Sequence, residues 1–264
     1  MKSMKFFSGH YVTIDEIENY IKQSKKDNRV ILIAGSHCSG KTTLITSIYE
    51  YFQRNLYKYP FIFSGSKTLI ELERLCYFSR ISSNGNNQQE RTTLDEKENF
   101  IHLCVRDKLR KMPSVNLYLS DFPGEKYLAL NSNNSEFTKL KSLTIVDHIV
   151  FLVDGKELVS NRSSAYDTTI SIIKSVLDFI NSNKLSPNIT LLFSKWDIIR
   201  TLETEKRKSV VKYIKNRNDK LRAFINHQYG IDLFITEIAA RPSRDSLVID
   251  KNIVGLLSQW IYAK

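Results

Sequence analysis

The segment Gly35–Thr42, with the sequence GSHCSGKT, constrains the fold more than any other part of the chain. It follows the apolar run Val30–Ala34, which suits a buried strand, and it opens a stretch over 41–55 that has helical character. A loop of spacing G-x-x-x-x-G-K-[ST] between a strand and a helix curls so that backbone N–H groups face an anion at the positive helix end. The sequence therefore predicts a phosphate-binding loop.

The residues of this loop have separate predicted roles. Gly35 and Gly40 allow the tight curl, Lys41 places a cation on the β- and γ-phosphates, and the Thr42 hydroxyl suits Mg²⁺. The predicted nucleotide-binding residues of this segment are Gly35, Ser36, His37, Cys38, Ser39, Gly40, Lys41, Thr42 and Thr43.

A second motif, Asp121-Phe-Pro-Gly124, follows the predicted strand Val115–Ser120. A carboxylate at the end of a strand beside a phosphate loop typically holds Mg²⁺. Gly124 lacks a Cβ, so its N–H can approach the γ-phosphate closely. A plain Asp-x-Pro-Gly turn is the alternative, but the preceding loop and strand favour the functional interpretation.

A third motif, Ser194-Lys-Trp-Asp197, ends the apolar run Asn188–Phe193. The same S-K-x-D pattern occurs at 24–27, but that copy precedes the first predicted strand and so cannot lie at the carboxyl edge of the sheet, where ligands bind in open α/β folds. Asp197 can accept hydrogen bonds from guanine N1–H and N2–H₂, a pair that adenine lacks. We expect Lys195 along the base and the phosphate loop, and the N–H of Ala239 near guanine O6.

Strand and helix patterns alternate along the chain, which indicates an α/β fold with helices on both faces of a sheet. Thr13 is expected to cap a helix over about 14–26, in an N-terminal helical extension over 1–28. The domain proper spans 29–264. The long separation of Lys41 from Asp121 requires an insertion at about 57–98, between the helix after the phosphate loop and the next strand, and we expect this insertion to carry partner recognition.

In this order, the motifs resemble the Ras-like, translation-factor-related (TRAFAC) GTPases over nearly the whole chain from residue 29. Segments at 63–80, 91–92, 101–103 and 121–125 are similar to the bacterial double-GTPase family, whose members are encoded in conflict (anti-phage) operons, often beside a second GTPase. The resemblance implies a three-layer P-loop fold with a mostly parallel sheet, Mg²⁺-dependent hydrolysis of GTP, and a second GTPase or an effector as partner.

Two residues depart from the general pattern of these GTPases. Ser194 replaces the usual Asn of the base motif, so we expect guanine selectivity with weaker affinity. Glu125 stands where a water-orienting Gln is common; it can accept but not donate a hydrogen bond, so hydrolysis by the catalytic set Lys41, Gly124 and Glu125 is expected to be slow or to await a partner's arginine. The resemblance assigns the magnesium site to Thr42, Asp121 and a switch threonine, either Thr92 or Thr93, with Thr68 as a weaker alternative.

Three functions fit these residues. The first is a slowly hydrolysing GTP switch, and the second is a GTP-dependent scaffold that recruits an effector without turnover. The third, an ATP-dependent kinase or nucleic-acid ATPase, is suggested by the net charge of +11 and disfavoured by the base motif at Ser194–Asp197.

The densest basic run, residues 206–222, follows the pattern of an amphipathic helix with apolar residues at Val210, Ile214, Leu221 and Ile225. Its basic face is either solvated or docks an anion, and we do not expect nucleic acid or a membrane surface as the main partner. The chain has no apolar run of about 20 residues and no signal-peptide pattern at its start. Its three cysteines lack disulfide or metal spacing, so a cytoplasmic location is expected.

Overall fold

The fold is described from a computed structural model. The residues that the structure describes are 9–24, 26–54, 60–77, 98–110, 112–121, 140–240 and 252–262.

Eight strands of the described chain form one sheet. They are β1 (Val12–Thr13), β2 (Asn28–Gly35), β3 (Phe61–Gly65), β4 (Asn99–Asp107), β5 (Val115–Ser120), β6 (His148–Asp154), β7 (Asn188–Ser194) and β8 (Leu233–Glu237). Their spatial order is β1-β4-β5-β2-β6-β7-β8, and β3 also pairs with β4. Neighbouring strands in the series β5, β2, β6, β7 and β8 pair in parallel. In contrast, β4 is antiparallel to β5, to β1 and to β3. The predicted mostly parallel sheet is confirmed.

Helices cover both faces of this sheet. They are α1 (Ile14–Gln23), α2 (Lys41–Arg54), α3 (Leu69–Tyr77), α4 (Gly155–Ser160), α5 (Arg162–Ser182), α6 (Trp196–Arg200), α7 (Thr204–Tyr229) and α8 (Asn252–Tyr262). Within the described residues, no helix is both long enough and apolar enough to cross a membrane.

The core consists of two apolar clusters, one on each face of the sheet. Successive residues of a strand point to opposite faces, so Leu32 of β2 joins the cluster under α1, α5 and α7, while Ile33 joins the cluster under α2, α3 and α8. Both residues are fully buried, as expected for a central parallel strand covered on both sides. This packing fixes the carboxyl end of β2, where the phosphate loop begins.

The sequence patterns located the helices well. Thr13 begins α1, and its backbone N–H bonds to Glu16 Oε2 at 2.9 Å, although the helix ends at Gln23 rather than near residue 26. The basic run lies on α7, where the four predicted apolar positions are buried. Within the expected insertion, the described residues form β3 and α3, and α3 packs beside α2 through Leu72 and Cys76.

Candidate functional site

The loop at 35–42 joins β2 to α2, and its glycines are required by its shape. A Cβ on Gly35 would lie 2.6 Å from Ser39 Oγ and 3.0 Å from Leu152 Cβ, so a larger residue would displace the loop. Gly40 has a φ of +96°, in the region that favours glycine. The loop therefore ends at the positive end of α2 in the curled shape that the motif predicts.

The Lys41 side chain folds back over this loop. Its Nζ donates to the carbonyl oxygens of Gly35 at 3.0 Å and Ser36 at 2.9 Å, and the residue is buried. On the outer side of the loop, His37 and Cys38 are exposed, with Cys38 Sγ 3.0 Å from His37 Nδ1. The cation thus lies on the inner side of the loop, and the imidazole and the thiol lie on its outer side.

Asp121 follows β5, and its carboxylate lies beside the start of α2. Thr42 Oγ1 donates to its Oδ1 at 3.1 Å, and the hydroxyl of Tyr11 donates to its Oδ2 at 2.9 Å. Burial raises the pKa of Asp121, while the two hydrogen bonds and the charge of Lys41 oppose that rise. Burial and the neighbouring carboxylates of Asp121 and Glu71 raise the pKa of Tyr11, so its hydroxyl remains a donor.

These residues fit a magnesium ion. Thr42 and Asp121 offer oxygen atoms, which are the ligands that Mg²⁺ prefers. The buried carboxylate has lost most of its hydration, so a cation beside it would stabilise its charged form. Thr68, the weaker switch candidate, is buried with its hydroxyl accepting from the backbone N–H of His102 at 2.9 Å.

The residues of the third motif meet the phosphate loop across the sheet edge. The buried Ser194 Oγ donates to the carbonyl of Ser39 at 2.7 Å, and Lys195 Nζ donates to the carbonyl of Cys38 at 2.7 Å. Asp197 lies in the first turn of α6. Trp196 packs behind the motif, with its ring centroid 5.9 Å from that of Phe193.

A cavity of about 270 Å³ lies between these two loops. Its lining includes Gly40 and Thr43 from the phosphate-loop side, Asp197 from the third motif and Ala240 from the segment after β8. Ala239 itself is buried beside this lining. The Ser47 hydroxyl donates to the carbonyl of Ala240 at 2.9 Å and so ties the segment to α2.

Asp154 belongs to none of the three sequence motifs. It is the last residue of β6, its Oδ2 lies 2.6 Å from Lys195 Nζ, and its Oδ1 accepts from the N–H of Lys156 to cap α4. The signal available in the sequence was its position at the end of a buried strand next to the one that carries Ser194. Tyr11 likewise lies outside every motif.

Four predicted site residues, Thr92, Thr93, Gly124 and Glu125, lie outside the described residues. The same is true of residues 57–59 and 78–97 of the expected insertion.

The sheet order, the loop between β2 and α2, and the carboxylate after β5 define the protein as a P-loop GTPase in fold. A family model named Double-GTPase 2 matches residues 29–261. The chain belongs to the Double-GTPase 2 family, which confirms the resemblance found in its motifs. No curated protein sequence matches it significantly.

Solved structures that are similar to this chain include the following two. One is translation elongation factor SelB from Methanococcus maripaludis in complex with a GTP analogue, at 16% identity and a TM-score of 0.40; the similarity covers 82% of this chain and 31% of SelB, so the chain spans about a third of that protein. The other is the signal recognition particle receptor SRb-GTP/SRX complex from Chaetomium thermophilum, at 13% identity and a TM-score of 0.42, covering 83% and 93% of the two chains.

Proposed function

We propose that this protein is a guanine-nucleotide switch that binds GTP with Mg²⁺ and hydrolyses it slowly to GDP. The observation that carries the proposal is the convergence of two loops that are distant in sequence. Ser194 and Lys195 hold the carbonyls of Ser39 and Cys38, and Asp197 lines the same cavity as Gly40. A carboxylate in that position can recognise the base of a nucleotide whose phosphates are bound by the phosphate loop.

In this proposal the cavity holds the guanine base. The Asp197 carboxylate accepts hydrogen bonds from N1–H and N2–H₂, and apolar side chains such as Leu192 and Ile238 line the rest of the cavity. Ala239 offers its N–H near guanine O6. Adenine has an acceptor at N1 and no amino group at C2, so it would leave the Asp197 carboxylate without donors, which is costly in a shielded site.

The phosphates lie along the loop from Gly35 to Thr43, where Lys41 and the helix end supply positive charge. Thr42, Asp121 and one of Thr92 or Thr93 would hold Mg²⁺, which neutralises charge on the β- and γ-phosphates when bound. In-line attack of water on the γ-phosphorus breaks its bond to the β–γ bridging oxygen and releases GDP and phosphate. Gly124 and Glu125 remain the predicted contacts to the γ-phosphate and the water, and we expect slow turnover because Glu125 lacks a donor.

Nucleotide binding tests the base assignment directly. Wild-type protein should bind fluorescent GTP and GDP much more tightly than ATP, and Asp197→Asn should lose guanine affinity and gain xanthine-nucleotide affinity by at least about tenfold, since the amide can donate to the xanthine C2 oxygen. Asp219→Asn, which changes an exposed acid on α7, is the matched control. Equal affinity for GTP and ATP would refute the assignment.

The family resemblance extends the proposal to a role in bacterial conflict with phage, with a second GTPase or an effector as partner. Single-turnover hydrolysis measured with and without the product of a neighbouring GTPase gene tests this extension. Stimulation by that product supports it. Clear turnover by the isolated chain excludes the alternative of a non-hydrolysing scaffold, and an unchanged rate with no complex argues against the partner.

A further inference from the structure

We infer that Tyr11 is a positioning residue for the magnesium-site carboxylate of Asp121, and that it couples this carboxylate to the N-terminal strand and to helix α3. The inference rests on the proposed function, because it assigns a role in Mg²⁺-dependent nucleotide binding. Tyr11 lies outside the phosphate loop, the segment that begins at Asp121 and the base motif at Ser194–Asp197.

Each carboxylate oxygen of Asp121 has a hydroxyl donor of its own. Oδ1 accepts from the Thr42 hydroxyl at 3.1 Å, and Oδ2 accepts from the Tyr11 hydroxyl at 2.9 Å. The carboxylate is buried, with 2% of the residue exposed. Because each oxygen has its own donor, rotation of the carboxylate about its Cβ–Cγ bond would break a hydrogen bond in a shielded site. Tyr11 therefore fixes which oxygen faces Thr42.

The register of the sheet explains how the two residues meet. Val12 of β1 pairs with Phe100 at the start of β4, and Phe100 pairs on its other side with Ser120 at the end of β5. The backbone N–H of Asp121 also donates to the carbonyl of Asn99 at 3.1 Å. Since side chains alternate along each strand, Tyr11 and Asp121 lie on the face opposite to Val12 and Phe100. Tyr11 accordingly packs against the cluster under α2 and α3.

The N-terminal segment is in turn attached to α3. The backbone N–H of Glu71 donates to the carbonyl of Gly9 at 3.1 Å, and Glu71 Oε2 lies 3.1 Å from His10 Nδ1. The other oxygen of Glu71 accepts from Arg74. Glu71 is buried, whereas the side chains of His10 and Arg74 are about half exposed. The segment Gly9–Tyr11 thus links the magnesium-site carboxylate to α3: Tyr11 bonds to Asp121, and the adjoining Gly9 and His10 contact Glu71.

This arrangement has two functional consequences. The Tyr11 hydroxyl increases the affinity for Mg²⁺, because a ligand that is already oriented loses less freedom on binding. Occupation of the magnesium site also restrains α3, since the carboxylate, Tyr11 and Glu71 are held together. A partner that binds the exposed face of α3 would in this way act on the nucleotide site.

The test compares Tyr11→Phe with Tyr166→Phe. Both changes delete one hydroxyl; that of Tyr166 donates to Asn218 Oδ1 at 2.7 Å beneath α7, away from the site. Fluorescent GDP is titrated in excess Mg²⁺ and in EDTA, and the Mg²⁺ dependence of the bound fraction gives the metal affinity. We expect Tyr11→Phe to weaken Mg²⁺ affinity about tenfold, with GDP affinity in EDTA unchanged, as for other residues that orient metal ligands. Tyr166→Phe should behave as wild type.

Hydrogen exchange of residues 69–77 provides a second measurement that does not depend on hydrolysis. We expect Mg²⁺ added to the GDP complex to slow exchange in α3 of the wild type and of Tyr166→Phe, but not of Tyr11→Phe. Unchanged Mg²⁺ affinity in Tyr11→Phe would overturn the inference, as would a parallel loss of affinity in Mg²⁺ and EDTA, which marks a purely structural role. If the wild type itself shows no Mg²⁺-dependent guanine-nucleotide binding, the proposed function fails, and the inference fails with it.

Discussion

The Lys195 ammonium lies 2.6 Å from the Asp154 carboxylate, where β7 and β6 end side by side. The same ammonium donates to the carbonyl of Cys38 in the phosphate loop at 2.7 Å. Asp154 is 5% exposed and the Lys195 side chain 30% exposed, so the pair is partly shielded from water. One cation therefore joins the base motif, the neighbouring strand and the phosphate loop.

Asp154→Asn should weaken guanine-nucleotide binding by about tenfold, which corresponds to roughly 1.4 kcal/mol, because Lys195 loses the charge that orients it. Asn is also a good N-cap, so the start of α4 should be unchanged. The change in affinity then reports the loss of the Asp154 charge alone. Titration with fluorescent GDP measures it. Asp167→Asn removes the partner of Arg217 on the α5 surface and should leave the affinity unchanged. Equal effects of the two changes would contradict the proposed role of Asp154.

Ser194→Ala should lower both stability and nucleotide affinity, since it leaves the carbonyl of Ser39 without the hydroxyl that bonds to it at 2.7 Å. A buried hydrogen bond of this kind contributes about 1 kcal/mol, so we expect a severalfold loss of GDP affinity. Ser182→Ala removes an exposed serine-to-carbonyl bond, to Asp178 at 2.8 Å, and is the matched control. Thermal melting and GDP titration of both variants decide whether Ser194 holds the loop.

Gly35→Ala and Gly255→Ala should act in opposite directions. A Cβ on Gly35 would meet the Cβ of Leu152 at 3.0 Å, so the phosphate loop must shift, and we expect at least about a tenfold loss of nucleotide affinity. A Cβ on Gly255, in α8, meets nothing within 4 Å. There the change should stabilise the protein by about 0.5–1 kcal/mol. Nucleotide titration and chemical unfolding measure the two effects, and normal binding by Gly35→Ala would show that the loop tolerates displacement.

Two buried histidines should make the protein sensitive to acid. Burial lowers the pKa of His102 to about 4, and neighbouring lysines add to this effect. Burial, with the charge of Arg29, lowers the pKa of His148 to about 4 as well. His102 Nδ1 accepts from the N–H of Lys67 at 2.9 Å, so the neutral ring donates through Nε2 to Asn116 and has no place for a second proton.

The unfolded chain binds these protons at its ordinary pKa of about 6.5, while the folded chain binds them only near pH 4. Stability is therefore lost as the pH falls from about 6.5 to about 4, and each histidine should contribute a loss of about 2 kcal/mol at about pH 5. His148→Leu should reduce this loss by about that amount in urea unfolding curves at about pH 7.5 and about pH 5. His227→Leu, which changes an exposed ring on α7, is the control, and an unchanged pH difference in His148→Leu would refute the prediction.

The candidate site could be predicted from local patterns because each motif combines a short spacing with a neighbouring strand or helix. The loop at Gly35–Thr42, Asp121 and the segment Ser194–Asp197 each follow an apolar strand, and parallel strands bring their carboxyl ends to one edge. The same patterns predicted the fold class, the position of each motif at the end of a strand, and the basic helix α7.

Only the tertiary structure decided which residues support that site. Asp154 contacts Lys195 across 41 positions of sequence, and Tyr11 contacts Asp121 across 110. No local spacing encodes such pairs, because they depend on which strands are neighbours and on their register. β1 and β3 both pair with β4 at the edge of the sheet, and this pairing brings an N-terminal tyrosine to a carboxylate after β5. The sequence alone determined the phosphate loop and the two motifs beside it, whereas long-range strand pairing determined the contacts that orient them.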